Sequence, residues 1–270
     1  MRPFANAIAV IASAVLPLLS GSTLAAERKV DLELVLAADI SESMDLQEAA
    51  LQRQGFASAL RHPRVIEVIQ AGRLGRIALT YVEWASEHVQ HTHVGWTEIS
   101  NRENARAFAD AIERPVVSVA RYTSISAVIA SASRSFEGNG FRGRRRIIDI
   151  SGDGPNNRGA YIVEARDRAV AKGITINGLP IVNDRPNPFG YPILPNLDLY
   201  YEDCVIGGPG AFIVVADGFK DFARAIRRKM ILEIAGVAPR EALLRLAAQR
   251  SRPPCDAGER QLRGWMFDYD

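Results

Sequence analysis

Two cysteines in 270 residues are too few for a disulfide-built scaffold or a four-thiolate zinc site. An excess of one charge is missing as well. With 33 basic and 31 acidic side chains the formal charge is +2, and there is no broad cationic field of the kind that wraps nucleic acid. Only four of the basic residues are lysines, which reflects codon composition rather than a ligand. No His-Glu-x-x-His, Gly-x-Ser-x-Gly or nucleotide-type Gly-x-Gly-x-x-Gly stands in a fitting context, so no familiar catalytic motif is present. After the N-terminal run no stretch is long and apolar enough to span a bilayer. What is present is 47% hydrophobic content, which excludes a wholly disordered chain and supports a sizeable core.

The N-terminus reads as an address. Arg2 precedes an apolar, charge-free run over 4–19, then small and polar residues, then Glu27-Arg28-Lys29. A basic start, an apolar stretch of about fifteen residues and a small-residue zone make an export signal, cleaved after Ala25 or Ala26. The expectation is a 1–26 signal peptide and a mature protein in the periplasm or outside a bacterial cell.

In the mature chain, 30–38 (VDLELVLAA) begins with alternation and becomes continuously apolar, as a strand buried on both faces does. Strands are expected at 76–84, 94–99, 146–150, 174–179 and 211–215. Helices are expected at 45–60 (with Leu46, Ala49, Ala50, Gln54 and Ala57 on its spacing and Asp45 as cap), 101–112, 123–136, 160–172 and 218–234. Strands alternating with helices predict an α/β fold, a mostly parallel sheet flanked by helices on both faces, with one short antiparallel edge strand. The proline-rich 182–198 is an irregular excursion. The division expected is a domain over 30–235, then a 236–270 tail with a short helix at 240–249 packed on or tethered to it.

Open α/β sheets bind ligands at the carboxyl ends of their strands. The first strand ends in Asp39-Ile40-Ser41-Glu42-Ser43, and 146–150 ends in Ser151-Gly152-Asp153-Gly154-Pro155-Asn156-Asn157. The loop before the 123–136 helix carries Ser118, Arg121 and Tyr122. Three loops can therefore bring two carboxylates and three hydroxyls to one edge. An all-oxygen set with two carboxylates suits Mg²⁺ or Mn²⁺, with Ca²⁺ less suited because it recruits more protein oxygens. The bland alternative is a helix N-cap cluster at Asp39, Ser41 and Ser43 and an ordinary turn at Asp153-Gly154.

Asp-x-Ser-x-Ser after the first strand, a threonine opening a later helix and an Asp-Gly after a central strand resemble the metal-ion-dependent adhesion site of von Willebrand factor A domains. The resemblance covers about Asp31 to Ile234 and implies a Rossmann-like sheet. It implies Ser41, Ser43 and Thr123 as metal ligands, with Asp39 and Asp153 bound directly or through water. The runs at 81–84, 151–157, 175–181 and 204–212 are similar to an exported bacterial branch of that superfamily, labelled as a domain of unknown function. Relatives commonly carry glycine before the threonine, where this chain has Arg121-Tyr122, and a small residue where it has Glu42.

The function this implies is an exported metal-dependent binding module that captures an acidic side chain of an unidentified protein partner. One rival is a metal-dependent hydrolase with Glu42 as base. Another is a relative with an inert site. Among the remaining polar residues, His88, His91 and His93 read as an exposed hairpin, with a zinc pair at His91 and His93 as the sharper alternative. Arg142, Arg144, Arg145 and Arg146 read as a solvated loop. Asp149, inside an apolar strand, requires an arginine or a backbone donor. Cys204 and Cys255 are expected to form a disulfide in an oxidising compartment, tying the tail to the domain.

Overall fold

A computed structural model describes residues 26–114, 120–183, 193–239 and 250–267. The expected signal peptide, Ser118, most of the 182–198 excursion and the expected 240–249 helix lie outside the described residues.

The strands are β1 (Arg28–Val30), β2 (Glu33–Asp39), β3 (Ile77–Trp84), β4 (Gln90–Ile99), β5 (Phe141–Gly143), β6 (Arg146–Gly152), β7 (Thr175–Val182) and β8 (Ala216–Asp217). Six form one sheet in the order β4-β3-β2-β6-β7-β8, while β1 and β5 pair by themselves. All pairings in the large sheet are parallel except β3 with β4. The antiparallel edge strand is not short. It runs ten residues, with register shifts opposite Leu79–Val82 that let the polar Gln90–His93 stretch stay in the ladder. The expected strand at 211–215 is replaced by an isolated bridge from Ile213 to Gly178, and pairing resumes only at β8.

Alternation along β2 divides two cores. Leu34, Leu36 and Ala38 face α1 (Leu46–Arg61), α2 (Pro63–Gln70), α3 (Arg102–Ile112) and α7 (Gly218–Ala235). Val35 and Ala37 face α4 (Ile125–Ser135), α5 (Ile162–Ala171) and α6 (Leu197–Tyr200), the last continuing into a π-helical turn at Tyr201–Val205. Helix α1 begins at a capping box: Asp45 accepts from the Glu48 N–H at 2.8 Å, and Glu48 accepts from the Asp45 N–H at 3.0 Å. Its buried face is Ala49, Gln52, Phe56 and Leu60 rather than the expected stripe through Leu46 and Gln54, both of which are exposed. The reason is that Gln52, a polar residue, is drawn into the interior by hydrogen bonds.

The partner of Asp149 is Lys229 of α7, not an arginine. Lys229 lies 2.5 Å from Asp149 Oδ1 and 2.5 Å from Glu233 Oε1, and all three side chains are buried. Asn177 on β7 donates to the same Glu233 oxygen at 2.8 Å. Burial first, and then the Asp149 charge, push the Glu233 carboxyl up to about 8 against the pull of Lys229. One cation thus serves two carboxylates between sheet and helix. The arginine run is not simply solvated either: Arg145 donates to the Glu233 and Ile234 carbonyls at 2.6 and 2.8 Å, capping the end of α7.

Lys229→Met leaves two buried carboxylates without their cation. It is expected to cost about 3–5 kcal/mol in urea denaturation. The triple variant Lys229→Met, Asp149→Asn, Glu233→Gln should recover most of that loss.

Candidate metal centre

In the large sheet the chain proceeds from β2 outward through β3 to β4, then returns to β6 on the other side of β2. The carboxyl ends of β2 and β6 therefore flank the point where strand order reverses. Asp39 is the last residue of β2, and Asp153 follows the last residue of β6. The loop after β2 is laced to the segment before α4: Glu42 N–H donates to the Ala120 carbonyl at 3.0 Å, and Ala120 N–H donates to the Ile40 carbonyl at 3.4 Å.

These connections bring all five expected ligands together. Ser41 Oγ and Ser43 Oγ are 2.8 Å apart, Ser43 Oγ donates to Asp153 Oδ1 at 2.6 Å, and Thr123 Oγ1 lies 3.4 Å from Ser41 Oγ. Asp39 Oδ1 accepts the Ser41 N–H at 2.7 Å. Its other oxygen, Oδ2, is buried and has no hydrogen-bond partner among the described residues. Burial and then the Asp153 charge hold the Asp39 carboxyl well above the usual range, against the Ser41 hydrogen bonds. Burial also pushes Asp153 up to about 6, with Glu48 adding repulsion and Ser43 opposing it. No lysine or arginine pairs with either carboxylate among the described residues.

A divalent cation fits this set. It would supply the charge that two crowded carboxylates lack, and the orphaned Asp39 oxygen has the chemistry of an unfilled ligand. The donors are all hard oxygens, and among the described residues no group of three or more His, Cys, Asp or Glu side chains gathers to hold a metal. The hydroxyls, not further carboxylates, complete the set. His91 and His93 have ring centroids 6.2 Å apart, and His93 Nε2 lies 3.0 Å from the Ala111 carbonyl.

Several residues that sequence reasoning passed over hold the ligands in place. Gln52 donates to the Asp39 carbonyl at 2.7 Å and accepts from Ser151 Oγ at 2.7 Å, clamping the two strand ends together. Asn157 Oδ1 accepts the Thr123 N–H at 2.9 Å, and its own N–H returns a bond to the Thr123 carbonyl at 2.9 Å. Asn156 Oδ1 accepts the Ser126 N–H at 2.9 Å at the start of α4, where Ser124, not Thr123, is the cap. A polar residue on the apolar face of α1, and two asparagines after Asp-Gly-Pro, were the available signals. Gly152 is required by space, because a Cβ there would stand 2.8 Å from Asp39 Oδ2 and 2.9 Å from Tyr201 Oη. Tyr201 Oη is itself buried without a partner among the described residues.

Tyr122 has φ 68°, the left-handed conformation a bulky side chain rarely adopts. Its ring is flanked by the Arg121 and Arg158 guanidinium groups, 5.5 and 4.6 Å from the centroid. Arg121 lies 3.6 Å from Glu42, and Arg158 lies 3.7 Å from Glu87. The tail reaches the same loop. Cys204 and Cys255 are joined by a disulfide, and α8 (Ala257–Phe267) follows it. Glu259 accepts from Asn156 Nδ2 at 2.8 Å.

Residues 29–238 match the family described as "Protein of unknown function (DUF1194)". The chain belongs to this family. No curated protein matches the DUF1194 chain by sequence. Its fold is that of von Willebrand factor A domains. It is similar to proximal thread matrix protein 1 from the mussel byssus at 15% identity and TM-score 0.56, over 77% of this chain and 49% of that one. The same mussel protein in a form with a zinc-occupied MIDAS motif gives 16% and 0.51, over 77% and 49%. The pilus adhesin SpaC from Lactobacillus rhamnosus GG gives 13% and 0.54, over 78% and 31%. A von Willebrand factor type A protein from Catenulispora acidiphila gives 13% and 0.50, over 76% and 43%. The DUF1194 chain thus spans half or less of these proteins' lengths, and the likeness is one of fold. Among the described residues no helix is long and apolar enough to cross a membrane.

The raised Asp153 carboxyl makes a pH test. Below about pH 4 the proton is bound in folded and unfolded chains alike; between there and about pH 6 only the folded chain holds it, so stability is lost as pH rises through 6. Without divalent ions, Asp153→Asn is expected to be more stable than wild type at pH 7 by about 1–2 kcal/mol, a value reduced for the solvent at this half-buried loop. The gap should close at pH 4 and should shrink on adding Mg²⁺, as read by urea denaturation.

Proposed function

We propose that this chain is a metal-dependent binding module whose divalent ion, held by Asp39, Ser41, Ser43, Thr123 and Asp153, captures a carboxylate of a protein partner. The observation that carries the reading is the buried Asp39 oxygen without a partner, set in the field of a second carboxylate. Two carboxylates balance a divalent charge, and three neutral hydroxyls fill positions without adding to it. Mg²⁺ suits that donor set best, with Mn²⁺ and Ca²⁺ as further occupants. The zinc-occupied MIDAS motif of the mussel-byssus protein, which has a similar fold, supports a divalent ion. When bound, the ion supplies an electrophilic position that weak neutral hydroxyl donors leave unquenched.

The chain's own residues do the positioning. Ser43 is oriented by Asp153, Thr123 is held by Asn157, and Gln52 keeps the two strand ends in register. Glu42, the nearest candidate for a general base, faces Arg121, which favours binding over hydrolysis. The pilus-adhesin relative supports a protein as partner. The Cys204–Cys255 disulfide supports an exported, oxidising location, in keeping with the leader read at 1–26.

Calorimetric titration with Mg²⁺ and Mn²⁺ tests the reading. Ser41→Ala and Asp39→Asn should each weaken binding at least about tenfold, equivalent to about 1.4 kcal/mol, with circular dichroism unchanged. Affinities equal to wild type in both variants would contradict it. A partner retained from the exported fraction in Mg²⁺ and released by chelator would extend it.

A further inference from the structure

The candidate metal centre is the polar end of a longer cavity. The whole cavity, with Ser41, Ser43, Thr123 and Asp153 in its lining, amounts to about 100 Å³, and the same lining includes the apolar Ile181, Ile193, Leu194, Leu197 and Leu262. Ile181, Leu194, Leu197 and Leu262 are buried, whereas Ile193 is 45% exposed at the mouth.

Part of this wall does not come from the strand-end loops. Leu262 is carried by α8, and α8 is fixed in place by the tail. The disulfide anchors Cys255 to the π-helical turn, Arg250 donates to Asp198 Oδ2 at 2.6 Å, and Arg252 pairs with Asp203. Gly258 rides so close to the metal-centre loop that a Cβ would stand 2.1 Å from the Asn156 carbonyl oxygen. An open adhesive face requires no such wall.

Two side-chain amides, Asn157 and Gln261, also line the cavity. Asn157 holds Thr123, and the half-buried Gln261 of α8 makes no hydrogen bond to the described residues. Tyr122, flanked by its two arginines, is part of the same lining.

We propose that this cavity receives the free C-terminus of a polypeptide ending in leucine, isoleucine or valine. Its terminal carboxylate points to the metal ligands, its last side chain lies against Leu197 and Leu262, and its last peptide group meets Gln261. The inference rests on the metal-dependent reading above and replaces its acidic side chain with a chain end. A chain end offers a carboxylate and an aliphatic group from a single Cα and enters end-first. An internal aspartate would have to carry chain past α8 on one side and Tyr122 on the other. A free aliphatic acid would fill both ends of the cavity and leave the Gln261 amide unpaired as it is desolvated.

The test is calorimetry on the full chain, with Mn²⁺ binding measured first and peptide added to the Mn²⁺-loaded protein. N-acetyl-glycyl-leucine should bind at least tenfold more tightly than N-acetyl-glycyl-glycine, N-acetyl-glycyl-leucinamide, 4-methylpentanoate and N-acetyl-leucyl-aspartyl-glycinamide. Ile193→Ser and Gln261→Ala should each weaken the leucine peptide at least threefold while Mn²⁺ affinity stays unchanged. Failure of Mn²⁺ to bind removes the metal reading and this inference together. If Mn²⁺ binds and the glycine peptide equals the leucine peptide, the apolar wall has no role and this inference alone falls. Equal binding of 4-methylpentanoate overturns it in favour of a free aliphatic acid, and equal binding of the aspartyl peptide in favour of an internal acidic residue.

Discussion

Two carboxylates at the ends of neighbouring parallel strands repel each other where little water is available to screen them, and much of the surrounding architecture exists to keep them there. Asp39 and Asp153 are both raised above their ordinary range by burial and by acidic neighbours, so the arrangement costs free energy in the absence of a cation. Gln52 ties the strand ends, Gly152 leaves room beside Asp39 Oδ2, and Asn156 and Asn157 fix the loop that carries Asp153 to the segment that carries Thr123. Several independent bonds from different elements thus fix the positions of these side chains.

The same molecule shows how it treats a pair of carboxylates with no external ligand to expect. Asp149 and Glu233 are buried, but Lys229 reaches between them and Asn177 adds a donor. Internal neutralisation holds the sheet to α7. At the carboxyl edge the chain places hydroxyls where a lysine would otherwise stand. The contrast, within one sheet, is between carboxylates neutralised by a buried lysine and carboxylates that no lysine or arginine pairs among the described residues.

The tail changes the character of the second cluster. The family match ends at residue 238, yet the disulfide and the Arg250 and Arg252 ion pairs bring α8 back against the Asp153 loop. An edge that would otherwise be open gains an apolar wall, and Tyr122, in a backbone conformation suited to glycine, supplies the facing side. A pocket discriminates by what fits beside the carboxylate as well as by the carboxylate itself.

The alternation along 30–38, the helix caps at Asp45 and Asn101, and the Asp-x-Ser-x-Ser and Asp-Gly loops are local signals, because propensity, capping and turn chemistry act over a few residues. From them the α/β class, the mostly parallel sheet and the Asp39, Ser41, Ser43 and Asp153 loops at one edge were legible, while Thr123 entered through the resemblance to von Willebrand factor A domains. What stayed hidden depends on long-range contact. Gln52 looked like an ordinary helix residue until the ends of β2 and β6 gave it two partners, and Asp149 found a lysine 80 residues away rather than the arginine expected. The length of β4 turned on bulges, and the 211–215 run lost its ladder partners beyond a single bridge. Composition and pattern determined by themselves that this chain is an α/β protein with an oxygen-lined edge. Only the tertiary structure decided that the edge is a walled pocket, because the expected Cys204–Cys255 disulfide fixed that the tail returns to the domain but not where α8 lies, and a glycine pressed against Asn156 sets it beside the Asp153 loop.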